Sequence, residues 1–597
     1  MNRLAGQSIR TLYIMLTTTL LSACTVNLTD ETGPNLAVNP PINLQTFEAD
    51  VTRRGGVTID GVTVALDGGA TQPLTGVAVD GNGVGTWRAD VSVAPCEELV
   101  SYRFSVDYSA PSSRTKVFPE EGSFVQPISG TDPLCDNVIS ASKTFTVNSY
   151  EDLPDGNPGD GFCNITNASN DGTCTLRAAV MEANARSGVD LIRVPTGRYT
   201  LTREKTGSAE ADDTPEDAWG DLDITDSVAI VGIVGDSIHI GRFMQTQTSS
   251  VGPGGYLVPV VNFIDRPNSN NTFVKIDGGE IDRVFDIHVG STDSGFAFFN
   301  KIAVLNGHIN DRPGGGILNQ GRLRLSRVAV YDNRLSQGSG GAGGVFSQNK
   351  GAGIANLGVL VAEELALVNN RILGTTGFAG ALWANANSSA TINNSLLALN
   401  QARFSGAIYV DNGEDGSAAG SVALTNTTVA YNSNSGSSNN AINNHGSLTL
   451  NFVTLVQNNR GGLASNAGSL SSVSNSLLAN NGSNQDCDSG TVNSSGGNII
   501  KDNGCTIDGA QLSPDLVDFS GSVIADSLRH QGGFTYVIPI RPPFDPSSSI
   551  IDPTDRISAA IPKPDFDQRG SGFDRAIDAD GSGDAEMDPG AYEYSPR

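Results

Sequence analysis

The feature that most constrains this chain is an internal repeat. Gly315-Gly-Ile-Leu-Asn319, Gly351-Ala-Gly-Ile-Ala-Asn356, Gly380-Ala-Leu-Trp-Ala-Asn385, Asn440-Ala-Ile-Asn-Asn444 and Gly461-Gly-Leu-Ala-Ser-Asn466 are variants of one phrase. Such phrases are followed by alternating apolar residues, then by an apolar residue, two further residues and an asparagine, and the asparagines of this kind are Asn333, Asn370, Asn400, Asn432, Asn458 and Asn480. The interval is irregular, roughly twenty to forty residues, as when loops of variable length join the short strands of a solenoid. Two or three strands per coil would turn Val, Leu and Ile inward and stack them into a continuous core. Gly and Asn fit the corners because both tolerate left-handed backbone. Stacked amides can hydrogen-bond along the axis, so the asparagines read as scaffold. The fold expected is all-β, a right-handed parallel β-helix over 144–498.

The N-terminus carries Arg3 and Arg10, an apolar run from Thr11 to Leu21, and then Ser22-Ala23-Cys24. That order is an export signal over 1–23, with an apolar run too short to span a bilayer comfortably. Leu-Ser-Ala-Cys resembles the lipobox of bacterial lipoproteins. The resemblance implies lipid attachment at Cys24, and Thr25 in place of the inner-membrane-retention Asp implies the outer membrane. Six cysteines remain, in three neighbourhoods: Cys96 with Cys135, Cys163 with Cys174, Cys487 with Cys505. The grouping suits disulfides in an oxidising compartment, although the spacing also fits free buried thiols. A formal net charge of -27 argues against nucleic acid as a partner, which needs a basic footprint.

A polar stretch over 24–41 reads as a tether. Trp87, Ala89, Val91 and Val93 alternate with polar residues, as do Val100, Tyr102, Phe104, Val106 and Tyr108. This is the period of half-buried strands, and 42–143 reads as a small, Ig-like β-sandwich, a spacer or binding module, clamped by Cys96 and Cys135. From Thr144 the character changes. In Cys174-Thr-Leu-Arg-Ala-Ala-Val-Met-Glu-Ala-Asn-Ala185 the residues Leu176, Ala179, Val180 and Ala183 follow helical spacing, and Gly188 would stop the helix.

This block is similar to the CSLREA-type entry module of bacterial surface β-helix proteins, with an alanine, Ala178 or Ala179, where that motif has Glu. The resemblance implies an N-terminal cap over 144–202 built round a short capping helix, and continues through Gly220-Asp-Leu-Asp-Ile224 and Ile276–Asp286. Asp567-Gln-Arg-Gly570, Arg575 and Asp588-Pro-Gly-Ala-Tyr-Glu593 resemble the choice-of-anchor Q domain, which implies a closing segment over 499–597. With the chain ending there, anchorage is expected to fall to Cys24, and the membrane is the partner on that side.

The function implied is that of a lipid-anchored surface protein at the outer membrane, serving adhesion to a neighbouring or host cell, polysaccharide binding or envelope structure. The alternative is a polysaccharide lyase or glycoside hydrolase of the β-helix type. Hydrolysis needs two facing carboxylates, yet between Gly314 and Asn481 the acids are Asp332, Glu363, Glu364, Asp411, Glu414 and Asp415, and His308 and His445 stand alone in sequence. Calcium is the candidate cofactor. Asp578, Asp580, Asp584 and Asp588 alternate through a Gly-rich loop like the first half of an EF-hand, with Pro589 where the bidentate Glu would sit. Asp152, Asp155 and Asp160 form a second, poorer set.

Overall fold

In the computed structural model the chain divides into two compact units, Met1–Ala141 and Ser142–Arg597. The structure describes residues 25–30, most of 44–127 and most of 143–593. Outside the description lie 1–24, 31–43, 93–98, 128–142, 206–217, 235–243, 252–256, 264–272, 337–348, 510–514, 518–523, 542–562, 576–586, 594–597 and several shorter stretches.

The first unit is two antiparallel sheets on one core. Thr25–Asp30, Leu44–Arg54, Gly85–Ser92 and Thr75–Val79 form one sheet; Thr71–Pro73, Thr58–Leu66, Leu99–Ser109, Ser113–Phe118 and Phe124–Pro127 form the other. The period-2 pattern sends Phe47, Ala49 and Val51 from the first, and Val62, Val64, Phe104 and Val106 from the second, into shared apolar contact. Part of the expected tether is thereby corrected. Thr25–Asp30 is an edge strand paired with Leu44–Arg54, where the ladder satisfies main-chain groups that a tether would leave to water.

The second unit is all-β apart from one helix among the described residues, and its long parallel sheets are those of a β-helix or solenoid. Lys143–Thr146 opens it, pairing in parallel with Asp190–Pro195. A middle coil holds four short strands, Ile317–Asn319, Arg322–Ser326, Ala329–Tyr331 and Arg334–Ser336. Each lies in register on its counterpart in the next coil, Ile354–Asn356, Val359–Glu363, Ala366–Val368 and Arg371–Leu373. Stacking yields a nine-strand sheet, a 21-strand sheet and a five-strand sheet. Inward aliphatics such as Ile317, Ile354, Leu382, Ile408, Ile442 and Leu463 merge into a single core. The rungs do not stop at residue 498: Ile499–Ile500, Thr506–Asp508 and Leu516–Val517 extend the 21-strand sheet.

The asparagines form a buried ladder. Asn370 gives its backbone N–H and its Nδ2 to Asn400 Oδ1, both at 3.0 Å, and a second Nδ2 proton to Val330 O of the preceding coil at 2.9 Å. Asn333, Asn400, Asn432 and Asn458 repeat the pattern, so each asparagine joins three coils. The last member is Asn481, not the expected Asn480. Leu478 rather than Leu477 points into the main core, which moves the apolar-x-x-Asn phrase by one residue. Asn481 donates to Asp486 Oδ1, and Oδ2 of Asp486 accepts from Asp502 N.

The residue before each ladder asparagine is left-handed: Asp332, Asn369, Leu399, Tyr431, Gln457 and Asn480 have φ between 57° and 62°. Leu, Tyr and Gln rarely adopt this conformation. The ladder, not the intrinsic preference of the corner residue, therefore fixes the corner.

Two further segments pack on the coils. Helix α1 (Leu176–Asn184) has Thr175 as N-cap, its side chain accepting Ala178 N, and puts Leu176, Ala179, Val180 and Ala183 into the main core. Arg177 on its other side is buried, bonded to Asp152 at 2.6 Å and to the carbonyls of Gly220 and Asp221. From the far end, Leu528, Phe534, Tyr536 and Ile538 cover outward-facing Ala303, Ala329, Ala366 and Leu396 of the 21-strand sheet. Strands such as Ile302–Leu305 and Leu396–Ala398 are apolar throughout because both their faces are covered.

Candidate functional site

Among the described residues, a row on the nine-strand sheet gathers chemistry-bearing side chains. In a three-residue strand the outer residues face the core and the middle one faces away. Register therefore lines up Asp223, Asp286, Leu318, Ala355, Trp383, Tyr409, Asn443 and Ala464 on consecutive coils.

At the centre of this row lies an aromatic patch. Phe378 stacks on Phe404 (centroids 4.7 Å apart) and meets Tyr409 edge-on (4.8 Å), while Tyr409 stacks on His445 (4.9 Å). Lys350 Nζ lies 4.3 Å over the Trp383 ring and 3.9 Å from Asp411 Oδ2. Asn443 Nδ2 donates to Phe404 O and, at 2.8 Å, to Ser405 Oγ, which fixes the loop carrying Phe404. Phe378, Phe404, Tyr409 and His445 are half-buried. Burial holds the His445 imidazole below its ordinary pKa, opposed by Asp411. Trp383 Nε1 is buried and makes no hydrogen bond, an arrangement that a buried donor ordinarily avoids.

At the amino end of the same row, Asp223 and Asp286 are direct cross-strand partners, with His288 two residues beyond Asp286. His288 Nε2 is 3.3 Å from Asp286 Oδ1 and 3.7 Å from Asp223 Oδ1, and the three ligand-type atoms lie within 4.8 Å of one another. The two carboxylates hold the imidazolium well above its ordinary pKa, at about 10, against the opposing effect of burial. Gln320 Nε2 donates to Asp286 Oδ1 and Arg283 Nη1 to Asp286 Oδ2. Deeper in, burial pushes the carboxyls of Asp221 and Asp282 up, with Arg283 pulling both down.

Of the residues expected from sequence, Cys24, Cys96, Cys135, Asp578, Asp580 and Asp584 lie outside the described residues. Cys163 bonds Cys174, and Cys487 bonds Cys505. Asp588 is buried; its N–H donates to the Glu593 carboxylate and its carbonyl accepts from Arg575. Asp152 is committed to Arg177 and to the N–H groups of Thr202 and Arg203. Asp155 and Asp160 accept local backbone N–H groups. His445, solitary in sequence, is brought onto Tyr409.

Asp223, Asp286, His288, Trp383 and Tyr409 are not legible as site residues, because Asp223 lies one coil away from Asp286 and His288, and Trp383, inside a repeat phrase, one coil away from Tyr409. A signal did exist: Leu222-Asp-Ile224 and Phe285-Asp-Ile287 are two copies of one apolar-Asp-Ile phrase, and a solenoid stacks copies. No protein-family model, curated protein or solved structure matches the chain.

Proposed function

We propose that the protein is a lipid-anchored surface protein of the outer membrane whose right-handed parallel β-helix binds polysaccharide along the outer face of its nine-strand sheet. The observation that carries this reading is the half-buried patch of Phe378, Phe404 and Tyr409 beside Trp383. Aromatic faces take the apolar faces of sugar rings, and the half-buried rings of Phe378, Phe404 and Tyr409 leave such faces within reach. Lys350 and Asp411 border the patch and offer further polar contacts. The right hand follows from the rule for parallel crossovers. On this reading α1 closes the amino end of the core, as terminal elements of solenoids must, and the two-sheet unit is an Ig-like spacer. Cys24 supplies the anchor, its acyl chains adding affinity with each buried methylene.

The test is a polysaccharide panel followed by affinity electrophoresis, with new reducing or unsaturated ends assayed in parallel. Tyr409→Ala and Phe404→Ala should each weaken binding of a retained glycan roughly fivefold, the equivalent of about 1 kcal/mol for one lost aromatic contact. Unchanged retention in both variants would remove the patch from the reading, and chain cleavage would replace binding by catalysis. Anchoring is tested separately. Cells expressing the protein should incorporate labelled palmitate into it, and Cys24→Ser should abolish both the label and membrane sedimentation; a labelled Cys24→Ser protein would refute the assignment.

A further inference from the structure

The geometry points to a divalent transition-metal site formed by Asp223, Asp286 and His288, separate from the aromatic patch and of zinc type. The donor set is one imidazole nitrogen and two carboxylate oxygens, which suits zinc and its first-row neighbours and does not suit calcium, an ion that takes oxygen ligands alone. Two ligands held about 2.0–2.2 Å from one ion at the tetrahedral angle are roughly 3.4 Å apart. The two Nε2 to Oδ1 separations, 3.3 and 3.7 Å, are close to that spacing.

Two further observations favour a cation. His288 Nε2 is shielded from water and makes no hydrogen bond, only these two longer contacts. Asp221, Asp223, Asp282 and Asp286 are all buried, and the cations in contact with them include Arg283, which contacts Asp221 and Asp286, and Lys205 at 3.8 Å from Asp221. A divalent ion would offset more of the charge on four clustered buried carboxyls than a single proton on His288 can. The frame is rigid. His288 N–H donates to Ile224 O across the ladder, and Gln320 and Arg283 hold the Asp286 carboxylate from outside, as second-layer partners do at metal sites. Three protein ligands leave one position of a tetrahedral ion open.

The experiment uses the full chain stripped with a chelator and dialysed, then titrated calorimetrically with Zn²⁺, Mn²⁺ and Ca²⁺. One equivalent of Zn²⁺ is expected to bind, to raise the thermal midpoint and to leave Ca²⁺ without effect. Co²⁺ loading should give visible ligand-field bands that report nitrogen and oxygen ligation. His288→Ala and Asp223→Asn should each lower Zn²⁺ affinity at least about tenfold. Melting each variant in its metal-free form beside the stripped parent separates lost binding from lost folding. No uptake by the stripped parent, or uptake unchanged in both variants, would overturn the site.

Discussion

Asn400→Ala is expected to cost the second unit about 3–6 kcal/mol, the effect of leaving two or three buried polar groups without partners. The side chain accepts Asn370 N and Asn370 Nδ2 at Oδ1, and its own Nδ2 donates to Leu367 O at 2.8 Å and to Asn432 Oδ1 at 3.0 Å. Truncation removes all four bonds from a site that water does not reach. The Asn370 N–H and the Leu367 carbonyl then stay buried without their amide partner, and Leu399, at φ 62°, loses the bonds that hold its corner. Gln401→Ala, one residue on and exposed, should change stability by no more than about 0.5 kcal/mol. Denaturant unfolding of both variants, with hydrogen exchange at Asn370 to localise the damage, makes the comparison. A loss under about 1 kcal/mol for Asn400→Ala would mean that the ladder decorates the coil and does not hold it.

That ladder marks the limit of what could be read from sequence. Periodic Val, Leu and Ile with a recurring asparagine announce a stacked parallel fold, since only a solenoid brings such phrases together. The phrase could not tell Asn480 from Asn481, because Leu477 and Leu478 are both apolar and both buried, one beneath the C-terminal segment and one in the main core. The corner residues Leu399, Tyr431 and Gln457 were illegible for a related reason: tertiary hydrogen bonds override their local preference. Thr25–Asp30 escaped notice as a strand because Val26 and Leu28 alone carry its alternation among polar residues. At the candidate sites the obstacle was distance along the chain. Asp223 meets Asp286, and Trp383 meets Tyr409, only after coils of unequal length have been stacked in register.

The C-terminal segment holds Asp567, Gln568, Arg569, Arg575, Asp588 and Glu593 in buried positions. Gln568 accepts Thr428 Oγ1 and donates to Thr535 Oγ1 and Tyr536 O. Arg569 chelates Asp567 between the rings of Phe573 and Tyr592. The Thr428–Gln568 bond ties this strand-poor segment to the outer face of the coils, beside the apolar cover that Leu528, Phe534, Tyr536 and Ile538 lay over the same sheet.

Arg575 is the centre of that attachment, and Arg575→Met is expected to cost about 3–5 kcal/mol, the range for removing one partner of a buried charged network. Its guanidinium is fully buried, lies 4.2 Å over the Phe452 ring, and donates to Asn426 Oδ1 at 2.7 Å and Gly590 O at 2.6 Å. Phe452 and Asn426 are left-handed corner residues of two successive coils, φ 52° and 48°, so two stacked corners supply the stacking surface and the acceptor. Glu593, 3.4 Å away, is pushed up to about 10, chiefly by burial and then by Asp588. Its carboxyl therefore takes up a proton readily, and the larger part of the loss in Arg575→Met should come from the abandoned acceptors Asn426 and Gly590. Glu593→Met added to Arg575→Met should consequently restore only a minor share of the stability, and restoration of most of it would show that the ion pair, not the hydrogen bonds to the corner, carries the attachment. Limited proteolysis should cut the single variant between the coils and the segment before the coils themselves are cut. Release would uncover Ala303, Ala329 and Ala366, an apolar stripe on the outer face of a parallel sheet, and such a stripe without its cover should bind a hydrophobic dye and drive self-association.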